Sequence, residues 1–148
     1  MEARILTVEF PVRLRRGFRR VAYAGFPRES YAILLGKRTK LGCAVKELYY
    51  PTLAKCDANT RRVTIRSTWW ETAARYGGMN GWEVLGDLHS HCYSAVYRVA
   101  GAYPSQSDWD SLDENYWQGI LSITRFKDGH AHSYYRFWPS LPKVELIG

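Results

Sequence analysis

Cysteine is scarce. Cys43, Cys56 and Cys92 are the only three in 148 residues, an odd number with no C-x-x-C spacing. That pattern argues against a disulfide framework or a zinc ribbon and predicts reduced thiols. No stretch approaches the roughly 18 consecutive apolar residues of a membrane-spanning helix. The N-terminal "MEARILTVEF" has an acid at position 2 and no long apolar centre, so it does not read as a secretion signal. A soluble, cytoplasmic protein is the expectation. Repeats, low-complexity tracts and linkers are missing. So are H-E-x-x-H, G-x-S-x-G, a P-loop and a dinucleotide fingerprint, which removes the enzyme classes built on them. The deaminase pattern of H-x-E with P-C-x-x-C is not there either.

What is present is apolar and aromatic. Hydrophobic residues make up 46% of the chain and charged ones 24%, with six Trp, eleven Tyr and five Phe. Such a chain can bury a core and is too short for two ordinary domains, so one domain over residues 1–148 is expected. The net charge is +7, and "RLRRGFRR" crowds Arg13, Arg15, Arg16, Arg19 and Arg20 together. Nucleic acid or an acidic partner suits such a cluster. No nucleic-acid motif accompanies it, so a solvated helix face is the preferred reading and nucleic acid is not an expected partner.

The periodicities predict a mixed α/β order. "RILTVEF" reads as a strand. From Pro11 to near Gly25, Leu14, Phe18, Val21 and Ala22 recur at helical spacing. "YAILLG" is an apolar run short enough for a buried strand, and "GCAVKELYYP" and "RRVTIRS" read as two more, separated by the polar loop "AKCDANT". "STWWETAARYGG" predicts a helix capped by Ser67 or Thr68 and ended by Gly77. Its adjacent Trp69 and Trp70 cannot both face inward equally. "WEVLGDLHSH" predicts a strand ending at two histidines. "SQSDWDSLDENYWQG" predicts a helix with Trp109, Leu112 and Tyr116 on one face. "GILSITRF" and "HSYYRFW" read as a hairpin turning at Asp128-Gly129, and "PKVELIG" as an edge strand. The fold class is α/β: one mixed sheet covered by helices.

The chemistry gathers around "LGDLHSH". His89 and His91 are two apart, so on a strand both imidazoles point the same way. Alone, an H-x-H is more often a pair of core or surface histidines than a metal site. Further on, Ser105 and Asp108 open the predicted helix, where the dipole favours a carboxylate. Two imidazoles and one carboxylate are a set that zinc accepts while keeping its fourth position for water. A hydrolase also needs a base near that water, and Glu29 stands at the start of "YAILLG".

Glu29 with "ESYAILLG", then "GDLHSH", then "PSQSDWD" resemble the JAMM motif of the MPN-plus (JAB/MPN) zinc metallopeptidases. The order of the surrounding elements is also similar, over roughly residues 3 to 138. The resemblance implies a cytidine-deaminase-like α/β sandwich. It implies zinc (Zn2+) as cofactor on His89, His91 and Asp108, Glu29 as proton acceptor, and Ser105 as donor to the oxyanion. The implied activity is that of an isopeptidase or peptidase, deubiquitinase-like, acting at the C-terminus of a ubiquitin-like protein or its conjugate. The stand-alone prokaryotic members accompany conjugation systems, whose proteins are the implied partners.

Two departures stand out. Thirteen residues separate His91 from Ser105, more than the family's usual spacer, so "CYSAVYRVAGAY" is expected to bulge out as a loop or flap. Cys92 replaces the family's usual proline, and a strand would point it away from the histidines. The register is ambiguous as well, because Ser107 and Asp110 form a second S-x-x-D; Pro104 favours Ser105 and Asp108. Asp87 shares the histidine face of a regular strand and reads equally as a supporting carboxylate or an exposed acid. His130 and His132 read as surface or sheet histidines. Open alternatives are a peptidase for sulfur-carrier proteins or small amide-linked metabolites, and a non-catalytic MPN binding module.

Overall fold

The computed structural model describes residues 6–50, 56–58, 63–65, 67–93, 115–126, 128–138 and 144–148. In chain order the elements are β1 (Leu6–Glu9), α1 (Val12–Gly25), β2 (Tyr31–Thr39), β3 (Gly42–Tyr49), β4 (Cys56–Ala58), β5 (Val63–Ile65), α2 (Ser67–Met79), β6 (Glu83–Tyr93), β7 (Trp117–Arg125), β8 (Ala131–Trp138) and β9 (Val144–Ile147). Seven strands form one sheet in the order β8-β7-β6-β2-β3-β1-β9. The β6–β7, β1–β3 and β1–β9 pairs are parallel, and the rest are antiparallel.

Both faces of β2 are buried, which is why its sequence is a continuous apolar run rather than an alternating one. Ala32 and Leu34 join the core beneath α1, while Ile33 and Leu35 pack with Trp69 and Ala73 of α2. The two helices therefore cover opposite faces. On α1, Leu14, Phe18 and Ala22 form the buried stripe at four-residue spacing, and the arginines occupy the remaining faces. Phe10, at the end of β1, meets Tyr135 and Phe137 of β8 edge-on, at 5.3 and 5.6 Å between ring centroids. Four strands separate β1 from β8 in the sheet, so the sheet curls around α1.

Several sequence expectations are corrected. The loop "AKCDANT" contains β4, which pairs with β5 in a separate two-stranded ribbon, so "RRVTIRS" is not a strand of the main sheet. Gly77 does not end α2. The helix runs on to Met79 and closes when Trp82 N–H reaches the Gly77 carbonyl (2.8 Å) and Gly81 N–H the Gly78 carbonyl (3.1 Å). That closure needs a left-handed residue, and Gly81 supplies it at φ 75°. The residue before Ser67, where a cap would sit, lies outside the described residues. Strand β6 continues past the histidines to Tyr93, so Cys92 and Tyr93 are not part of a bulging loop. The end of the predicted third helix is not helical: Tyr116 sits in an exposed bend, and Trp117 begins β7, where pairing with Gly86 overrides the local helical pattern. Trp109 and Leu112 lie outside the described residues, as does the rest of the spacer from residue 94.

Trp69 is buried, whereas Trp70 is half-buried and tilts against Tyr116. The hairpin at Asp128-Gly129 and the edge strand β9 are present, and His130 and His132 are exposed. Among the described residues, no helix is long and apolar enough to cross a membrane.

Candidate active site

Strand β6 carries the site. Its pairing with β2 shifts between Leu34 and Leu35, opposite Gly86. Beyond that bulge the alternation is regular. Leu88 points into the core under α1, and Asp87, His89 and His91 take the opposite face, the one covered by α2. Their neighbours on that face follow from register. Tyr31 of β2 is directly opposite His89, and Gln118, Ile120 and Ser122 of β7 lie beside Asp87, His89 and His91 respectively.

His89 and His91 are 4% and 2% exposed, and their Nε2 atoms lie 3.1 Å apart. That separation suits one Nε2–H donating to the other. It also suits a shared ion: with each nitrogen about 2.0–2.1 Å away, the two would subtend roughly 100°, close to a tetrahedral angle. Two converging buried imidazole nitrogens thus fit half of a tetrahedral zinc set. Among the described residues, no group of three His, Cys, Asp or Glu side chains converges on one point. Ser105 and Asp108, with the alternative pair Ser107 and Asp110, lie outside the described residues.

Glu29 is half-buried just before β2. Ser30 and Ser90 lock that end of β2 to β6 reciprocally: Ser30 N–H donates to Ser90 Oγ (2.8 Å), and Ser90 N–H donates to the Ser30 carbonyl (3.0 Å). Glu29 therefore stands at the end of β2 nearest the His91 end of β6. Cys92 is on the face away from the histidines, with its thiol toward the Arg28 carbonyl at 3.7 Å. Burial, helped by the charge of Glu29, pushes this thiol up to about 11, against the lowering effects of Ser90 and Arg125. It is a neutral core group.

Asp87 is half-buried, and its carboxylate accepts the phenolic O–H of Tyr31. Sequence reasoning did not single out Tyr31, Gln118 or Ser122. The usable signal was parity: Tyr31 is two beyond Glu29, and Gln118 and Ser122 are polar residues four apart within the buried stretch Trp117–Ile123. Gln118 is 6% exposed, and its side-chain carbonyl oxygen is buried with no hydrogen-bond donor among the described residues.

A family model described as prokaryotic homologs of the JAB domain matches residues 11–139. Among solved structures, a protein from Desulfitobacterium hafniense is similar at a TM-score of 0.60 and 21% identity, over 96% of this chain and 92% of its own. A protein from Salinibacter ruber is similar at 0.60 and 22% identity, over 96% and 90%. A JAB1/MPN domain protein from Archaeoglobus fulgidus gives 0.49 at 14% identity, over 99% and 100%. Among curated proteins there is no significant match. The fold is the JAB/MPN-type mixed α/β arrangement, a central sheet flanked by helices.

Proposed function

The chain belongs to the family of prokaryotic homologs of the JAB domain, and on that basis we propose that it is a zinc-dependent peptidase. Its substrate is an amide at the C-terminus of a ubiquitin-like protein, either an isopeptide or a short C-terminal extension. It works as one domain in the cytoplasm beside the proteins of a conjugation system. The observation that carries the reading is the pair of buried Nε2 atoms of His89 and His91, 3.1 Å apart on one strand face.

His89, His91 and Asp108 would hold the metal. When bound, zinc would polarise the scissile carbonyl and make water a nucleophile near neutral pH. Glu29 would take the proton of the attacking water and return it to the leaving amine, a two-way transfer suited to one carboxylate. The Ser105 hydroxyl donates to the oxyanion as negative charge develops there. The buried face of β6 supplies what these groups need from a scaffold. The β6 backbone at His89 is paired to β2 on one side and β7 on the other, so the two Cα positions that carry the imidazoles are fixed relative to the sheet.

Metal analysis tests the reading. The purified protein should carry about one zinc per chain, lost in His89→Ala, His91→Ala and Asp108→Ala and kept in Asp110→Ala. Full zinc in all three variants would refute the ligand set. No zinc in the parent would favour a non-catalytic binding module of the same fold. Zinc with activity only on sulfur-carrier proteins or small amide-linked metabolites would move the substrate class and leave the site intact.

A further inference from the structure

We propose that Tyr31 and Asp87 form a positioning pair that fixes the imidazole of His89 and thereby sets the metal affinity of the site. The inference rests on the reading of His89 as a metal ligand.

Two contacts meet on the His89 ring, and a hydrogen bond ties one of them back to its own strand. Tyr31 and His89 are direct cross-strand partners, and their rings are nearly parallel, 18° between planes with centroids 6.3 Å apart. The Tyr31 phenol crosses from β2 to β6 and donates to the Asp87 carboxylate. Asp87 lies two residues before His89 on the same face, so the phenol that stacks beside the imidazole is tied to the acid on the imidazole's own strand. The second contact is His91, whose Nε2 faces that of His89.

Tyr31 is itself held from behind. Trp69 of α2 tilts against it at 6.3 Å, and Tyr49 tilts against Trp69 at 5.6 Å. Trp69 is 1% exposed, so this aromatic column is anchored in the core between α2 and the sheet and ends at His89. A histidine that binds metal through Nε2 needs its ring plane fixed, because rotation about its side-chain bonds swings the nitrogen off the ion. Groups around a ligand that hold it in this way change metal affinity about 10- to 100-fold when removed. Packing alone would fix Tyr31 without a hydroxyl. The hydroxyl adds a link to the acid on the histidine's own strand, which makes the ring's position depend on β2 and β6 together.

The experiment is zinc affinity by competition with a chromophoric chelator. It is paired with the visible spectrum of the cobalt(II)-substituted protein and the melting temperature of the metal-free protein. Tyr31→Phe keeps the ring and removes the hydroxyl. Asp87→Asn keeps the shape and removes the charge, and serves if the first variant folds poorly. Both should bind zinc at least about tenfold more weakly and shift the cobalt spectrum, with the metal-free melting temperature little changed. If both stay within about twofold of the parent in affinity, the pair is structural only and the inference fails, whatever happens to the melting temperature. A parent that binds no zinc overturns the metal reading and this inference with it. A parent that binds zinc beside two unaffected variants overturns this inference alone.

Discussion

A Cβ built on Gly86 would come within 1.7 Å of the main-chain oxygen of Trp117. The two residues are the first partners of the parallel β6–β7 pair, so β7 enters the sheet at a point where only hydrogen fits. Gly86 also holds φ at 155° in the bulge that sets which face His89 and His91 occupy.

Gly86→Ala should therefore destabilise the fold by more than about 3 kcal/mol, beyond the ordinary range for a point substitution. Equilibrium unfolding in urea measures it. A midpoint equal to the parent's would mean that β7 does not approach this closely.

Glu29→Gln should keep the fold and the zinc and slow cleavage by at least ~10²-fold, the lower end of general acid–base contributions. Glutamine keeps the size of glutamate but takes no proton at neutral pH. Single-turnover cleavage and metal content on one preparation separate the cases. Near-normal rates would remove Glu29 from the mechanism, and loss of zinc would make it a ligand.

Much of this fold was legible because its signals are local. The buried stripe of α1, the apolar run of β2 and the shared face of His89 and His91 each follow from side-chain periodicity within one element. What escaped was set between elements. Tyr31 meets His89 only through the β2–β6 register, and Trp117 becomes a strand residue only because Gly86 receives it. The end of α2 was misplaced for another reason. Two adjacent glycines look like a stop, but the left-handed turn needed its glycine at position 81. Ser105 and Asp108 stand on the motif resemblance alone.

Gln118→Met should leave the protein as stable as the parent or raise its stability by about 1 kcal/mol. Methionine fills the same length without an amide whose buried oxygen finds no donor among the described residues. Thermal unfolding of the metal-free protein is the measurement. A clear loss would show that the Gln118 carbonyl is hydrogen-bonded after all.

Alkaline pH should weaken the fold partly through Cys43. Burial pushes this thiol from 9.0 up to about 12, with the charge of Arg38 opposing. Folding thus favours the protonated form. That stability is whole below pH 9 and is lost as pH climbs toward 12. One pH unit into the window costs at most about 1.4 kcal/mol. Between pH 8 and pH 10, urea midpoints should fall more for the parent than for Cys43→Ala. Parallel declines would acquit the thiol.

The sheet order carries a consequence for the timescale of the site. Strand β6 is hydrogen-bonded on both flanks, to β2 and to β7, and neither neighbour is an edge. Amide hydrogens along Leu88–Ser90 can meet solvent deuterium only when the centre of the sheet opens. The histidines consequently ride on a stretch of chain whose exchange tracks global unfolding. Slow motion at this site would then arise in the segments around the histidines, not in β6 itself.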